Sequence, residues 1–207
     1  MSAKRKILFA TGNEGKMQEI RSIMADLGVT VLSMKEAGIS VQIDEDGATF
    51  EENAKIKARA VAALADPDSI VLADDSGLEI DALNKEPGVY SARYMGEGTP
   101  YTEKNADLLH RLDGVPKEER TARFVCAISA VFPDGREFTV RETVEGLIDY
   151  EQKGEGGFGY DPIFYVPEFG RTMAEISVEE KNRISHRGKA LELMKGVIKK
   201  NEGFDCQ

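Results

Sequence analysis

The sequence predicts an α/β fold, a mixed sheet with flanking helices, and three observations carry that expectation. Short apolar runs alternate with segments whose apolar residues recur at helical spacing, the pattern of strands followed by helices. Two strand-like runs, residues 122–132 and 137–148, flank Pro133-Asp134-Gly135, a turn signature that makes them a long hairpin. The apolar run at residues 69–73 suits a central strand and leads directly into Asp74-Asp75-Ser76-Gly77. Polar groups at the end of a buried strand are where α/β proteins place their sites.

The first element is a short buried strand at residues 6–10. Met17, Ile20, Ile23, Met24 and Leu27 then follow helical spacing until Gly28 stops the helix. Residues 29–33 read as a second strand, and a loop over 35–47 ends in Asp44, Glu45 and Asp46. Thr49 and Glu52 form a capping-box pattern for a helix that turns Phe50, Ala54, Ala58, Val61, Ala62 and Ala65 inward and ends at Asp66-Pro67. After the 69–73 strand, residues 86–101 are mostly loop, because they hold Pro87, Gly88, Gly96, Gly98 and Pro100. Thr102 is placed to cap a short helix ending at 112–114. Beyond the hairpin, residues 154–159 are glycine-rich and irregular, and 163–166 form a strand between Pro162 and Pro167. Ser177 with Glu180 caps a short helix, and Ser185 opens a longer one carrying Leu191, Leu193, Met194, Val197 and Ile198.

At 207 residues and 41% hydrophobic, the chain can build one sizeable core, and a single unit over 1–207 with frayed ends at 1–5 and 201–207 is expected. No apolar run is long enough to span a bilayer, and the charged start at residues 1–6 does not make a signal peptide, so the expectation is a soluble cytoplasmic protein with no membrane partner. Cys126 and Cys206 match neither a disulfide framework nor a zinc spacing and are expected to be reduced thiols. A formal charge of -10 argues against a duplex nucleic-acid binder, which gains affinity by neutralising phosphates with Lys and Arg. An acidic protein meets a polyphosphate locally, through a divalent cation and a few placed lysines.

Four constellations fit that demand. Residues 8–20 look like a P-loop but fail its pattern, since Ala10 and Met17 stand where glycine and a hydroxyl residue are required. What remains, Thr11-Gly12-Asn13-Glu14-Gly15-Lys16 at a strand-to-helix junction, reads either as an anion site of helix N–H groups, hydroxyl, amide and lysine or as an ordinary capped helix start. Asp74 and Asp75 point to opposite faces of an extended strand, so they do different jobs. One of them plus Glu45 suffices for Mg²⁺, which takes one or two protein carboxylates; the alternative is a polar turn. In Gly156-Gly157-Phe158-Gly159-Tyr160-Asp161-Pro162 the phenylalanine can offer its face to a base and Asp161 can accept from base or sugar, or the aromatic residues can simply cover the core. Lys181, His186 and Arg187 concentrate donors near a helix N-terminus, where positive charge suits an anionic or carbonyl-rich ligand better than the helix itself; a solvated basic face is the alternative. His110 reads as a surface helix residue, and no serine sits in a nucleophile elbow, which leaves direct attack by a metal-activated water as the simplest chemistry.

The motifs Thr11-Gly12-Asn13-x-x-Lys16, Ala73-Asp74-Asp75-Ser76-Gly77-Leu78, Gly88-x-Tyr90-Ser91-Ala92-Arg93-Tyr94, Gly157-Phe158-Gly159-Tyr160-Asp161-Pro162 and Ile184-Ser185-His186-Arg187-Gly188 occur in that order. Together they resemble the inosine triphosphate pyrophosphatase family, whose members act on noncanonical purine nucleoside triphosphates, and the likeness runs over residues 6–200. The resemblance implies an elongated two-lobed unit with a central active-site cleft. It implies a homodimeric, Mg²⁺-dependent enzyme that hydrolyses ITP, dITP and XTP to the monophosphate and pyrophosphate and so cleanses the nucleotide pool. Thr11, Asn13 and Lys16 would hold the triphosphate within the loop that includes Gly12, Glu14 and Gly15, with Lys57 a further phosphate contact. Asp75 would be catalytic base or metal ligand, Glu45 the second metal ligand, and Ser76 a substrate contact. Phe158, Gly159, Tyr160 and Asp161 would pack on base and sugar, and Lys181, His186 and Arg187 would read the base. The chain departs from the family pattern at Glu155, where a small or hydroxyl residue is more usual, and Glu14 adds negative charge to the phosphate loop.

Overall fold

The computed structural model describes residues 6–202, apart from the side chains of Val178 and Asn182. Residues 1–5 and 203–207, including Cys206 and most of the ends expected to fray, lie outside the described residues; Asn201 and Glu202 complete the last helix. Seven strands form one mixed sheet. They are β1 Lys6–Phe9, β2 Thr30–Ser33, β3 Ser69–Ile80, β4 Thr121–Val131, β5 Glu137–Ile148, β6 Phe164–Val166 and β7 Arg171–Thr172, in the order β2-β1-β3-β4-β5-β6-β7. β1 pairs in parallel with β2 and β3, while β6 pairs antiparallel with β5 and β7. The helices are α1 Glu14–Met24, α2 Phe50–Ala62, α3 Tyr101–Arg111, α4 Val178–Ile184 and α5 His186–Glu202. Among the described residues no helix is long and apolar enough to cross a membrane.

The chain divides into two compact units, and the division falls inside β3 between Asp75 and Ser76. The first holds residues 1–75, 126–142 and 187–207. Its main core packs Ile7 and Phe9 of β1, Ile70 and Leu72 of β3 and Cys126 and Ile128 of β4 against Met17, Ile20 and Met24 of α1 and Leu191, Met194 and Ile198 of α5. Leu8 and Val71, which point the other way from the same strands, pack with Val61 of α2. This alternation is the two-residue period of a strand covered on both faces. The second unit holds residues 76–125 and 143–186, and its core joins Leu78 and Ile80 of β3, Phe124 of β4, Val144 and Ile148 of β5 and Phe164 of β6 with Leu108 and Leu112 at α3.

Several local expectations are corrected. β3 does not end at residue 73 but runs to Ile80, so Asp74 and Asp75 lie mid-strand rather than in a turn. Leu78 and Ile80 are buried in the second unit's core, which gives the polar stretch apolar positions to continue toward. α2 ends at Ala62, four residues before Asp66, and Pro100 rather than Thr102 precedes α3, with no side-chain cap. Thr49 does accept from the Glu52 N–H at 3.1 Å, but the Glu52 carboxylate reaches the N–H of Ala48 instead of Thr49, so the box closes one residue early. The complete capping box is at Ser177 and Glu180, ahead of α4.

Candidate active site

In the first unit, β1 delivers the chain to a loop shaped by its own side chains. The Thr11 hydroxyl accepts from the N–H of Asn13 at 3.2 Å, and the Asn13 carboxamide oxygen caps α1 by accepting from the N–H of Lys16 at 3.1 Å. Gly15 makes room for that cap, since a Cβ there would stand 3.2 Å from Asn13 Oδ1. Gly12, Asn13, Glu14 and Gly15 are exposed, so the helix end opens to solvent with first-turn N–H groups that have no partner within the helix.

Lys16 reaches from α1 to β3, with Nζ 2.9 and 3.2 Å from the two carboxylate oxygens of Asp74. Arg187, at the start of α5, brings Nε to 3.5 Å from Asp74 Oδ2 and Nη1 to 3.5 Å from Glu19. Asp74 is 3% exposed. Burial pushes its carboxyl upward, but Lys16, Arg187 and Lys57 outweigh that and hold it well below the usual carboxylate range. Burial likewise opposes the Arg187 charge, and Asp74 leads the neighbours that restore it. The Arg187 side chain, which the family resemblance assigns to base reading with Lys181 and His186, faces Asp74 in this structure.

Asp75 faces the other way. Its Oδ2 accepts from Asn53 Nδ2 at 3.0 Å, and its Oδ1 lies 3.5 Å from Lys57 Nζ, which also meets Glu45 Oε2 at 3.0 Å. Asn53 is orientated by the N–H of Gly47, which donates to its Oδ1 at 2.9 Å and leaves the amide donors for Asp75. Burial pushes the Asp75 carboxyl up; Lys57 and Asn53 oppose this, Glu45 and Asp74 add to it, and the group stays raised. Burial disfavours the Lys57 ammonium, but Asp75, Asp74 and Glu45 together raise it. Glu45 and Asp75 therefore converge on one cation. Among the described residues no group of three or more His, Cys, Asp or Glu side chains is placed to hold a metal ion, so any metal here would have Glu45 and Asp75 as its two protein carboxylates, a number within what Mg²⁺ takes.

In the second unit, the glycine-rich loop is built around Asp161. Its Oδ2 accepts from the N–H of Phe158 at 2.7 Å and from Lys181 Nζ at 2.5 Å. Gly157 is required, because its φ is +75° and a Cβ would lie 2.1 Å from that oxygen. Phe158 is 66% exposed, with Lys181 Nζ 4.9 Å from its ring centroid. Tyr160 and Asp161 are instead buried, at 4% each, so of residues 158–161 it is Phe158 whose side chain is presented to solvent. Burial also raises the Tyr160 phenol. His186 is half-buried and stacks on Phe124 with centroids 5.3 Å apart and planes 14° apart. Ser76 opens this unit's share of β3.

A family profile described as the Ham1 family matches residues 7–197. The chain belongs to the Ham1 family. A dITP/XTP pyrophosphatase of Desulforamulus reducens is 51% identical over 186 residues, covering 90% of this chain and 92% of that protein. One of Geobacillus kaustophilus is 50% identical over 188 residues, covering 90% and 91%. The solved structure of the Staphylococcus aureus Ham1 protein superposes with a TM-score of 0.87 at 42% identity, over 95% of this chain and 99% of that one. Within this Ham1 chain the sequence reading missed Asn53, which orientates Asp75, and the role of Asp74 as the counter-charge of Lys16. A signal for Asn53 was present, since it lies four residues from both Thr49 and Lys57 and thus shares their helix face.

Proposed function

We propose that this protein hydrolyses noncanonical purine nucleoside triphosphates, dITP, XTP and ITP, between the α and β phosphates, releasing the monophosphate and pyrophosphate. The observation that carries the reading is the Asp75, Lys57 and Glu45 cluster in a chain about half identical, over nine-tenths of its length, to proteins named dITP/XTP pyrophosphatase. Glu45 and Asp75 would hold Mg²⁺, which when bound supplies charge stabilisation to the phosphates. Asp75, held in place by its hydrogen bond from Asn53, accepts the proton of the attacking water. Lys57 and Lys16, with the open N-terminus of α1, meet the negative charge of the triphosphate. Phe158 stacks on the purine, and donors from Lys181 and His186 favour a 6-oxo base over the 6-amino group of adenine. Removal of deaminated purines from the cytoplasmic nucleotide pool by a homodimer is the accompanying physiological reading.

Incubation with ITP and Mg²⁺ followed by product analysis tests it. Pyrophosphate and IMP are expected, with ATP turned over far more slowly. Orthophosphate as the first product would overturn the reading.

A further inference from the structure

Helix α3 and the motif at residues 88–94 carry buried polar side chains that the catalytic reading leaves unused. Asn105 of α3 is 1% exposed. Its Nδ2 donates to the carbonyl of Gly159 at 3.2 Å and meets Gln152 Oε1 at 3.4 Å, while its Oδ1 is buried with no hydrogen-bond partner among the described residues. A half-satisfied amide is a poor occupant of a core, so the satisfied half must do something an apolar side chain could not. It fixes a carbonyl in a loop where Gly157 at φ +75° and Gly159 at φ +67° flank Phe158 and lend it no stiffness.

A second tether lies one residue further on. The Tyr160 hydroxyl donates to the carbonyl of Ser91 at 2.7 Å, and its ring meets that of Tyr101, also on α3, edge-on at 5.2 Å. Ser91 is itself anchored: its hydroxyl donates to the Gly88 carbonyl at 2.6 Å and accepts from the N–H of Leu78 at 2.9 Å. The loop is thus pinned to β3 and α3 on the C-terminal side of Phe158, whose ring stays exposed.

We propose that Asn105 is a positioning residue for base binding, holding the Gly159 carbonyl so that, with the Tyr160–Ser91 tether, the loop presents the face of Phe158 to a purine. This rests on the nucleotide reading above. A stacking surface ordered before the ligand arrives saves the binding step the cost of ordering it, so loss of the tether appears in KM rather than in kcat.

The test uses Asn105→Leu, which keeps the volume and removes the donor, and Tyr160→Phe, which removes the second tether. Amide hydrogen exchange over residues 156–161 is expected to quicken about tenfold in each, as for loss of one hydrogen bond. For Asn105→Leu the KM for ITP is expected to rise about tenfold with kcat within about twofold, and the preference for ITP over ATP in kcat/KM to fall by a similar factor. Unchanged exchange and unchanged KM in the folded variants would overturn the proposal, as would a fall in kcat alone. If Asn105→Leu does not fold, Tyr160→Phe decides by its exchange and KM. A wild-type protein that releases no pyrophosphate from ITP sinks the nucleotide reading instead, and the exchange measurement still judges the tether.

Discussion

At residue scale the two adjacent aspartates are the sharpest feature, because one strand turns them to opposite faces and their carboxyls are shifted in opposite directions. Asp75, raised by burial, is the proposed proton acceptor. Asp75→Asn should lower pyrophosphate release by about a thousandfold, the range of general-base contributions, while the melting temperature at pH 7 does not fall. In the metal-free protein the Asp75 carboxyl should titrate above the ordinary Asp value of about 3.9, as followed by carboxyl NMR over a pH series, and added Mg²⁺ should lower it. The linkage runs oppositely for the pair. Asp74, depressed by its cations, contributes stability that is present above its unfolded pKa and is lost as pH falls through the lower folded one. Asp75 contributes stability below its unfolded pKa and loses it as pH rises through the raised folded one. Asp74→Asn leaves Lys16 and Arg187 facing each other without their shared anion and should cost about 3 kcal/mol, measured by urea unfolding.

At the scale of elements, the base-side loop depends on a glycine in a way that the capped helices do not depend on any one residue. Gly157→Ala must either abandon φ +75° or push aside the Asp161 carboxylate that holds Phe158 and Lys181. It should destabilise by about 1–2 kcal/mol from the backbone alone and raise the KM for ITP. Ser177→Ala, which removes the cap of α4, should cost about 1 kcal/mol, because the Glu180 N–H loses its acceptor. Thermal melts and steady-state kinetics on the two variants separate these outcomes: the cap change moves stability, whereas the loop change moves stability and substrate affinity together.

At the scale of the whole molecule, ligand linkage tests the division of labour. A nonhydrolysable ITP analogue at about 100 times its Kd should stabilise the protein by about 2.7 kcal/mol in the presence of Mg²⁺, and chelation should shrink that shift, as read from denaturant unfolding. Much of the fold was open to sequence reasoning, because hydrophobic periodicity and caps are local: strands β1, β2, β4 and β5, the helices and the hairpin turn follow from residues within a turn or a pleat of each other. The opposite facing of Asp74 and Asp75 follows in the same way from the two-residue period. Partner choice does not. Lys16 meets Asp74 across 58 residues because β1 lies beside β3 in the sheet, and Arg187 joins them because α5 packs with α1 on the same core. Asn105 reaches Gly159 across 54 residues, which no spacing in the chain announces. The sequence by itself determined most of the elements, the helix start after residues 11–16 and the inventory of charged groups. The tertiary structure alone decided which charge neutralises which, because an ion pair in a core depends on strand order and burial, and neither is encoded within the reach of a single turn.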